Sequence, residues 1–587
     1  MYYPRLRRLN SQQMKTEKFH GLDRRPGMGD AACSEMQNMQ LYPDNLLSTR
    51  KKRGLMATLN MPQGLTANGK PAWIDGGVLY FDGAATPVTG LTEGEKQMVC
   101  MGAYIVIFPD GKYYNTVKPE DNGSIDRLWT GSNVTISMCY VDGTDYDDGS
   151  MTVGTKPPEN PADGHYWLDT SGEQDELKKW SEGNEEWVVF ASVYIKISAE
   201  GIGEGIKAGD AVKLSGLEYN GPNQRTKKQV EDLNGTWEIM TCGDDYLVMI
   251  GLMDDMVELE GEIHADRQAP KMDYVIECNN RLWGCYHGQQ DGETLNEIYA
   301  SALGDFKNWR RYNGTSMDSY TVSVGTDGDF TGAIEHRGQP YFFKERYCHK
   351  IFGDKPGNYQ MQTTTCDGVR TGCAKTLQVV NGTLYYLSIN GVVAFETLPT
   401  PMDDAFSGAR FDAGAACEYE NQYIISMHEV GGEWGVYVLD TKMGMWVQED
   451  KKNITHFARI RDEIYMLEDD GRIWTRHGSQ GTMETQVPWE MVTSQIGYSV
   501  AEHKNIGRCN IRMRMAKGAQ VQAYVEYDSD GEWLEAGSKM TNEGFTNTVM
   551  LPIFPRRCDH MRFKLEGVGD ITIYSMTRQV YIGSDGG

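Results

Sequence analysis

The residues most able to do chemistry in this chain are an aspartate-rich loop, a few histidines and a set of tryptophans. Asp142, Asp145, Asp147 and Gly149 crowd one segment. A calcium-binding EF-hand loop needs a carboxylate at its twelfth position. Counted from Asp145 that position is Lys156, and from Asp142 it is Val153. The EF-hand therefore fails, leaving a solvated turn or, at most, an irregular calcium site. The 11 histidines are dispersed, and His336 and His349 have no third ligand at metal spacing. They read as ordinary core or surface histidines. No phosphate-binding GxxxxGK(S/T), zinc-protease HExxH or GxSxG nucleophile elbow occurs.

Trp167, Trp180 and Trp187 could form a sugar-stacking platform. In a small β module, aromatics at this spacing more often make the core. Asp305 and Trp309 lie in the turn-like stretch SALGDFKNWRRY (301–312). A glycosidase needs two carboxylates held across the sugar bond, and among 83 acidic residues some pair can always be found. Trp309 is better read as the anchor of a β-turn. The 12 cysteines are scattered, and the closest pairs, Cys278 with Cys285 and Cys366 with Cys373, lack CxxC spacing. They read as reduced, mostly buried thiols. No catalytic residue, metal ligand or cofactor is expected.

The elements around these residues are strands. Helix-period patterns are rare, while 66 glycines and 32 tyrosines suit a β-rich chain with many turns. Similar hairpin strands recur at 76–83, 103–111, 280–288, 339–347, 382–391 and 462–471, with a looser copy at 421–427. From 339 the starts follow at 43, 39 and 41 residues. An all-strand period of about 40–50 residues is the mark of propeller blades. The period breaks between 111 and 280. There KAGDAVKLSG (207–216) and LNGTWEIM (233–240) read as barrel strands. After about 488 the pattern becomes long alternating strands with one buried face.

The expected fold is all-β: a β-propeller hub with inserted small barrel-like β domains and a C-terminal antiparallel β-sandwich-like unit. The expected boundaries are an N-terminal arm and leading strand (1–58), first propeller strands (59–118), inserted domains (119–270), remaining blades (271–487) and a C-terminal unit closing the propeller (488–587).

Charge is unevenly divided. Over 1–53, eleven basic residues face five acidic ones, +6 net, which leaves −32 on the rest of a chain of −26. A basic arm on an acidic body suits docking on a neighbour. The candidate docking residues are Arg5, Arg7, Arg8, Arg24, Arg25, Arg50, Lys51, Lys52 and Arg53. No apolar run is long enough for a transmembrane helix, and the basic N-terminus lacks the apolar stretch of a secretory signal.

Three stretches resemble phage structural proteins. Residues 19–54, FHGLDRRPGMGDAACSEMQNMQLYPDNLLSTRKKRG, resemble the opening strand of connector and tail proteins. KAGDAVKLSG followed by LNGTWEI is similar to the small barrel inserted in tail nozzle, or tubular, proteins. RRCDHMRFKLEGVGDITIYSM (556–576) is similar to the closing strands of that class. The module from GHYWLDTS to EWV (164–188) departs from it and resembles an accessory domain of assorted phage proteins. The 301–312 turn faintly resembles the Asp-containing turns of sialidase-type propellers.

The resemblance implies a non-enzymatic virion protein of a tail or head–tail connection, assembled in the bacterial cytoplasm. It implies a homo-oligomeric ring or nozzle around a DNA channel, with other phage structural proteins as partners. The alternative is a host-recognition or carbohydrate-binding, conceivably hydrolytic, propeller at the tail tip.

Overall fold

A computed structural model describes the chain except residues 1–9, 30, 42–44, 146–150, 173–174, 191–192, 291, 498–503, 542–548, 552–555 and 583–587. The fold is all-β. Six successive segments, 62–85, 97–124, 274–323, 330–365, 378–401 and 411–450, each contribute four antiparallel strands in chain order. A seventh, 454–475, supplies three strands, Ile454–Ile460, Glu463–Glu468 and Arg472–Thr475. Its fourth is Gly54–Thr58, paired antiparallel to Arg472–Thr475.

The first strands of these sheets pack in cyclic order: first on second, second on third, and so on until Ile454–Ile460 meets Pro62–Ala67. Between the fourth and fifth, contact runs through the short 3-10 turn Ala374–Thr376. This is a closed ring of seven blades.

The ring is sealed by the N-terminal segment, whereas the sequence reading gave that closure to residues 488–587. The seal is tight. A Cβ on Gly54 would lie 1.9 Å from the carbonyl oxygen of Gln480, so only glycine fits there. The C-terminal strands lie outboard instead. The outer strand of blade six, Met445–Asp450, continues into Gly21–Leu22, Ala32–Gln37, Pro488–Thr493, Met561–Val568, Gln520–Tyr527 and Leu534–Met540 as one ten-stranded sheet. A second sheet joins Asn10–Thr16, Met39–Leu41 and Leu47–Thr49 to Lys504–Met515 and Ile571–Ile582. Alternating residues such as Met513, Met515, Val521, Ala523, Phe563 and Leu565 are buried in one core with blades five and six. N- and C-terminal segments thus build this unit together.

The insertion leaves blade two after its outer strand Asn122–Ser124, a few residues beyond the expected boundary at 118. It holds a four- and a five-stranded sheet around its own core of Val134, Ile136, Ile197, Val212, Leu247 and Met249. KAGDAVKLSG and LNGTWEIM supply the strands Ala211–Ser215 and Gly235–Glu238. The nine-residue helix Gln224–Asp232 lies between them, capped by the Asn223 side chain on the N–H groups of Arg225 and Thr226. A small sheet spanning 151–189 is inserted in turn.

Candidate functional site

A propeller offers two natural places for a ligand, its axis and the clefts beside its blades. Here the axis is narrowed at the end where the first strands begin, and Glu95, Lys375 and His456 line a cavity of about 440 Å³ there. The turn Ala374–Thr376 packs against the first strands of blades four and six. Gly332 and Gly414 on those strands make the room. A Cβ on Gly332 would stand 2.7 Å from Leu377 Cδ1, and one on Gly414 3.2 Å from Thr376 Cγ2. Three side chains from non-adjacent blades meet above the turn. Lys375 Nζ lies 2.9 Å from Glu95 Oε1, and His456 Nε2 3.4 Å from the same oxygen. His456 and Lys375 hold the Glu95 carboxyl down at about 2, against some desolvation. Burial in turn lowers the His456 pKa. The charges there are spent on one another.

A second opening is lateral. A cleft of about 570 Å³ lies between the inserted barrel and blade three, within the usual range for ligand sites. One wall is the barrel strand Gly235–Glu238, presenting Trp237 and Glu238. The other is the blade-three strand Glu293–Ala300, with Glu297 and Tyr299, and the following loop, with Trp309, Arg310 and Tyr312. Strand alternation puts Glu297 and Tyr299 on one face.

The polar atoms of these aromatics are largely satisfied at home. Trp237 Nε1 donates to the Leu233 carbonyl at 2.8 Å and Trp309 Nε1 to that of Phe306 at 2.9 Å. The Tyr312 hydroxyl lies 2.8 Å from Thr321 Oγ1. Burial and a bond to the Glu297 carboxylate push the Tyr299 hydroxyl pKa up. Trp237 is half-buried and Tyr312 is 58% exposed.

The two walls are held together. Asn308 Nδ2 donates to the Gly209 carbonyl of the insertion at 2.9 Å. Arg267, paired with Asp210, also reaches the Ile125 carbonyl at the root of blade two. The cleft is therefore braced in the absence of a ligand.

The sequence candidates fall elsewhere. Arg5, Arg7 and Arg8 lie outside the described residues. Arg53, expected on a docking surface, is fully buried and pairs with Asp450 and, at 3.0 Å, with Glu449. Arg476 joins the same Glu449. Burial alone would raise the Glu449 carboxyl, but Arg476 and Arg53 outweigh it and hold it at about 2. Arg50 is buried against Glu484 at 2.7 Å and Asn38. Arg24 binds Glu429 at 2.8 Å, and Arg25 binds Asp23 at 2.7 Å. Lys52 reaches the Thr485 carbonyl at 2.8 Å. Of the described candidates only Lys51 and Lys52 are left on the surface with no acidic partner in the ion pairs found. Within the basic run at 50–53, Arg50 and Arg53 thus form an internal clamp, because the segment that seals the ring carries Arg53 into the junction of blades six and seven.

Trp167, Trp180 and Trp187 pack on each other, with centroids 5.4 Å apart for Trp167–Trp187 and Trp180–Trp187. His336 and His349 are buried in blade four. His349 sits between Thr326 and Thr363 at 3.0 and 2.9 Å. Asp147 and Gly149 lie outside the described residues, and Asp145 pairs with Lys196 at 2.7 Å. Among the described residues the one metal-sized acidic group is Glu468, Asp469 and Asp470, where Lys452 and Arg472 already pair with Glu468. All 12 cysteines are free, nine of them buried. Of the cleft residues, Trp237 and Glu238 fall within 233–240 and Trp309, Arg310 and Tyr312 within 301–312, segments read from the sequence as barrel strand and β-turn, while Glu297 and Tyr299 lie in none.

No family model and no curated protein matches this chain. Among solved structures it is similar to a GH43 glycoside hydrolase with endo-xylanase and exo-arabinofuranosidase activity, at 10% identity and a TM-score of 0.20, over 53% of this chain and 97% of that one. It is also similar to PorZ, a surface component of the type-IX secretion system of Porphyromonas gingivalis (10%, TM-score 0.25, over 87% and 82%). A third is a Trypanosoma rangeli sialidase (8%, TM-score 0.20, over 97% and 95%). Likenesses this slight leave the function to be argued from the site itself.

Proposed function

We propose that this chain is a non-enzymatic recognition protein, a β-propeller that binds carbohydrate in the cleft between its inserted barrel and blade three. The braced, aromatic-lined cleft carries the reading. Sugar rings present C–H faces that pack on aromatic side chains, while their hydroxyls need polar partners at the rim. Trp237 and Tyr312 supply the former, and Glu238, Glu297 and Arg310 the latter. The resemblances at 19–54, 207–216 and 556–576 support a bacteriophage tail or head–tail connection as its setting, with the virion as its location.

The test is retention of the purified protein on immobilised host-surface and cell-wall glycans, read beside a reducing-end assay. Retention without release of reducing ends is expected. Absence of retention on every glycan overturns the binding, and release abolished by Glu238→Gln or Glu297→Gln overturns the non-enzymatic assignment.

A second reading, a ring-forming hub of a tail nozzle or head–tail connection, is favoured by the cross-blade contacts of Glu95, Lys375 and His456 at the axis. A propeller stiffened through its centre suits a load-bearing part, and any duct for double-stranded DNA would then run between copies. Negative-stain imaging of the purified protein tests this. A symmetric ring supports the hub, and monodisperse single propellers count against it.

A further inference from the structure

The cleft has a charge character as well as a shape. Its ionisable lining is two carboxylates, Glu238 on the barrel wall and Glu297 on the blade wall, against one cation, Arg310. The Tyr299 hydroxyl is already committed to Glu297. A ligand lying between the walls therefore meets acceptors on both sides. Neutral sugars suit such a site, because their hydroxyls and amides donate hydrogen bonds, and bonds to ionised acceptors are the stronger kind. An ammonium suits it further. A ligand carboxylate would face like charge from both walls, and like-charge juxtaposition at an interface is strongly unfavourable. The rest of the chain, at −32 outside residues 1–53, adds a long-range field of the same sign.

We propose that the cleft takes glycans built of uncharged or amino sugars and rejects those bearing carboxylates. This rests on the carbohydrate-binding reading above and deepens it.

Three oligomers of equal length separate the cases: chitohexaose, which is neutral, hexaglucosamine, which is cationic, and hexagalacturonate, which is anionic. Binding to the full chain is followed by tryptophan fluorescence and by calorimetry at low salt. Chitohexaose and hexaglucosamine should bind at least about tenfold more tightly than hexagalacturonate. The difference should shrink with added salt, as screening requires. Glu238→Gln combined with Glu297→Gln should narrow the gap by improving hexagalacturonate binding. Tyr312→Ala, at an exposed position, should weaken all binding about tenfold without unfolding the protein. Trp237→Ala should do the same if it folds.

Hexagalacturonate binding as tightly as chitohexaose overturns the charge inference while leaving carbohydrate binding intact. Binding that is indifferent to Tyr312→Ala and to the double glutamine variant places the ligand elsewhere and overturns it too. If none of the three binds and the glycan surfaces also retain nothing, the binding reading itself has failed.

Discussion

The axis and the lateral cleft both bring polar side chains from separate parts of the chain into contact, yet they end in opposite states. At the axis, Glu95, Lys375 and His456 pair off over a turn that packs against blades four and six, and glycines at 332 and 414 let it sit close. The buried clamp of Arg53, Glu449, Asp450 and Arg476 at the junction of blades six and seven is the same kind of place, with its charges mutually neutralised. In the cleft, by contrast, the walls are braced by bonds made outside it, and the lining leaves Tyr312 exposed and Trp237, Glu238 and Glu297 half-buried, over the buried Tyr299 and Trp309. Paired charge belongs to holding the ring shut, buried at the clamp and partly exposed at the axis. Braced, wet aromatic surface belongs to binding. Charged clusters alone would have pointed to the wrong place.

The comparison can be broken by removing one partner from each. Arg53→Ala leaves Asp450 and Glu449 buried with less compensation. Loss of one member of a buried pair costs about 3–5 kcal/mol. A large fall in the denaturant midpoint is expected, and an unchanged midpoint would detach the clamp from ring closure. Gly332→Val pushes against Leu377 and Ala374, and overpacking of this kind costs about 1–3 kcal/mol. It should lower the melting temperature without altering glycan retention.

His349 sharpens the same contrast through pH. Burial lowers its pKa to about 4, against about 6.5 in an unfolded chain. Between those values the unfolded state binds the proton and the folded state resists it, so stability falls as pH drops from about 6.5 towards 4. The linkage amounts to about 2 kcal/mol between pH 7 and 5. His349→Gln should flatten that part of the stability profile measured by urea unfolding at each pH. The smallest effect belongs to the cleft. Tyr312→Ala should change stability by no more than about 0.5 kcal/mol, and a larger loss would show that the cleft rim is structural.

Much of the ring was legible because its signal is local. The repeats at 103, 280, 339, 382, 421 and 462 all coincide with the second strand of a blade. That strand opens the central hairpin, whose turn residues sit beside it in sequence. The copy at 76–83 is the exception, since Val78–Phe81 is the third strand of blade one and Pro71–Asp75 the second. The seal by Gly54–Thr58 and the pairing of Asn10–Thr16 with Ile571–Ile582 had no such signal. Each joins segments hundreds of residues apart through backbone bonds that any side chain permits. Arg50 and Arg53 were misjudged for the same reason: their charge is visible in the sequence, and their partners Glu484, Glu449 and Asp450 are not. The cleft was hidden because Trp237 and Tyr312 come from separate domains, whose walls meet through Asn308 on Gly209 and Arg267 on Ile125.

The strand Gly54–Thr58 also sets a timetable. During synthesis it leaves the ribosome roughly four hundred residues ahead of Arg472–Thr475, its partner. At about 5–20 residues per second, the interval is on the order of 20–80 s. Through that interval six blades can form as hairpins in the order they emerge, but the circle has no last side. The early strand must stay unpaired, with its backbone donors and acceptors open to any passing edge. Closure is thus a late event that couples the first sixty residues to the last fifth of the chain, and a nascent chain halted before residue 472 leaves Gly54–Thr58 without that partner.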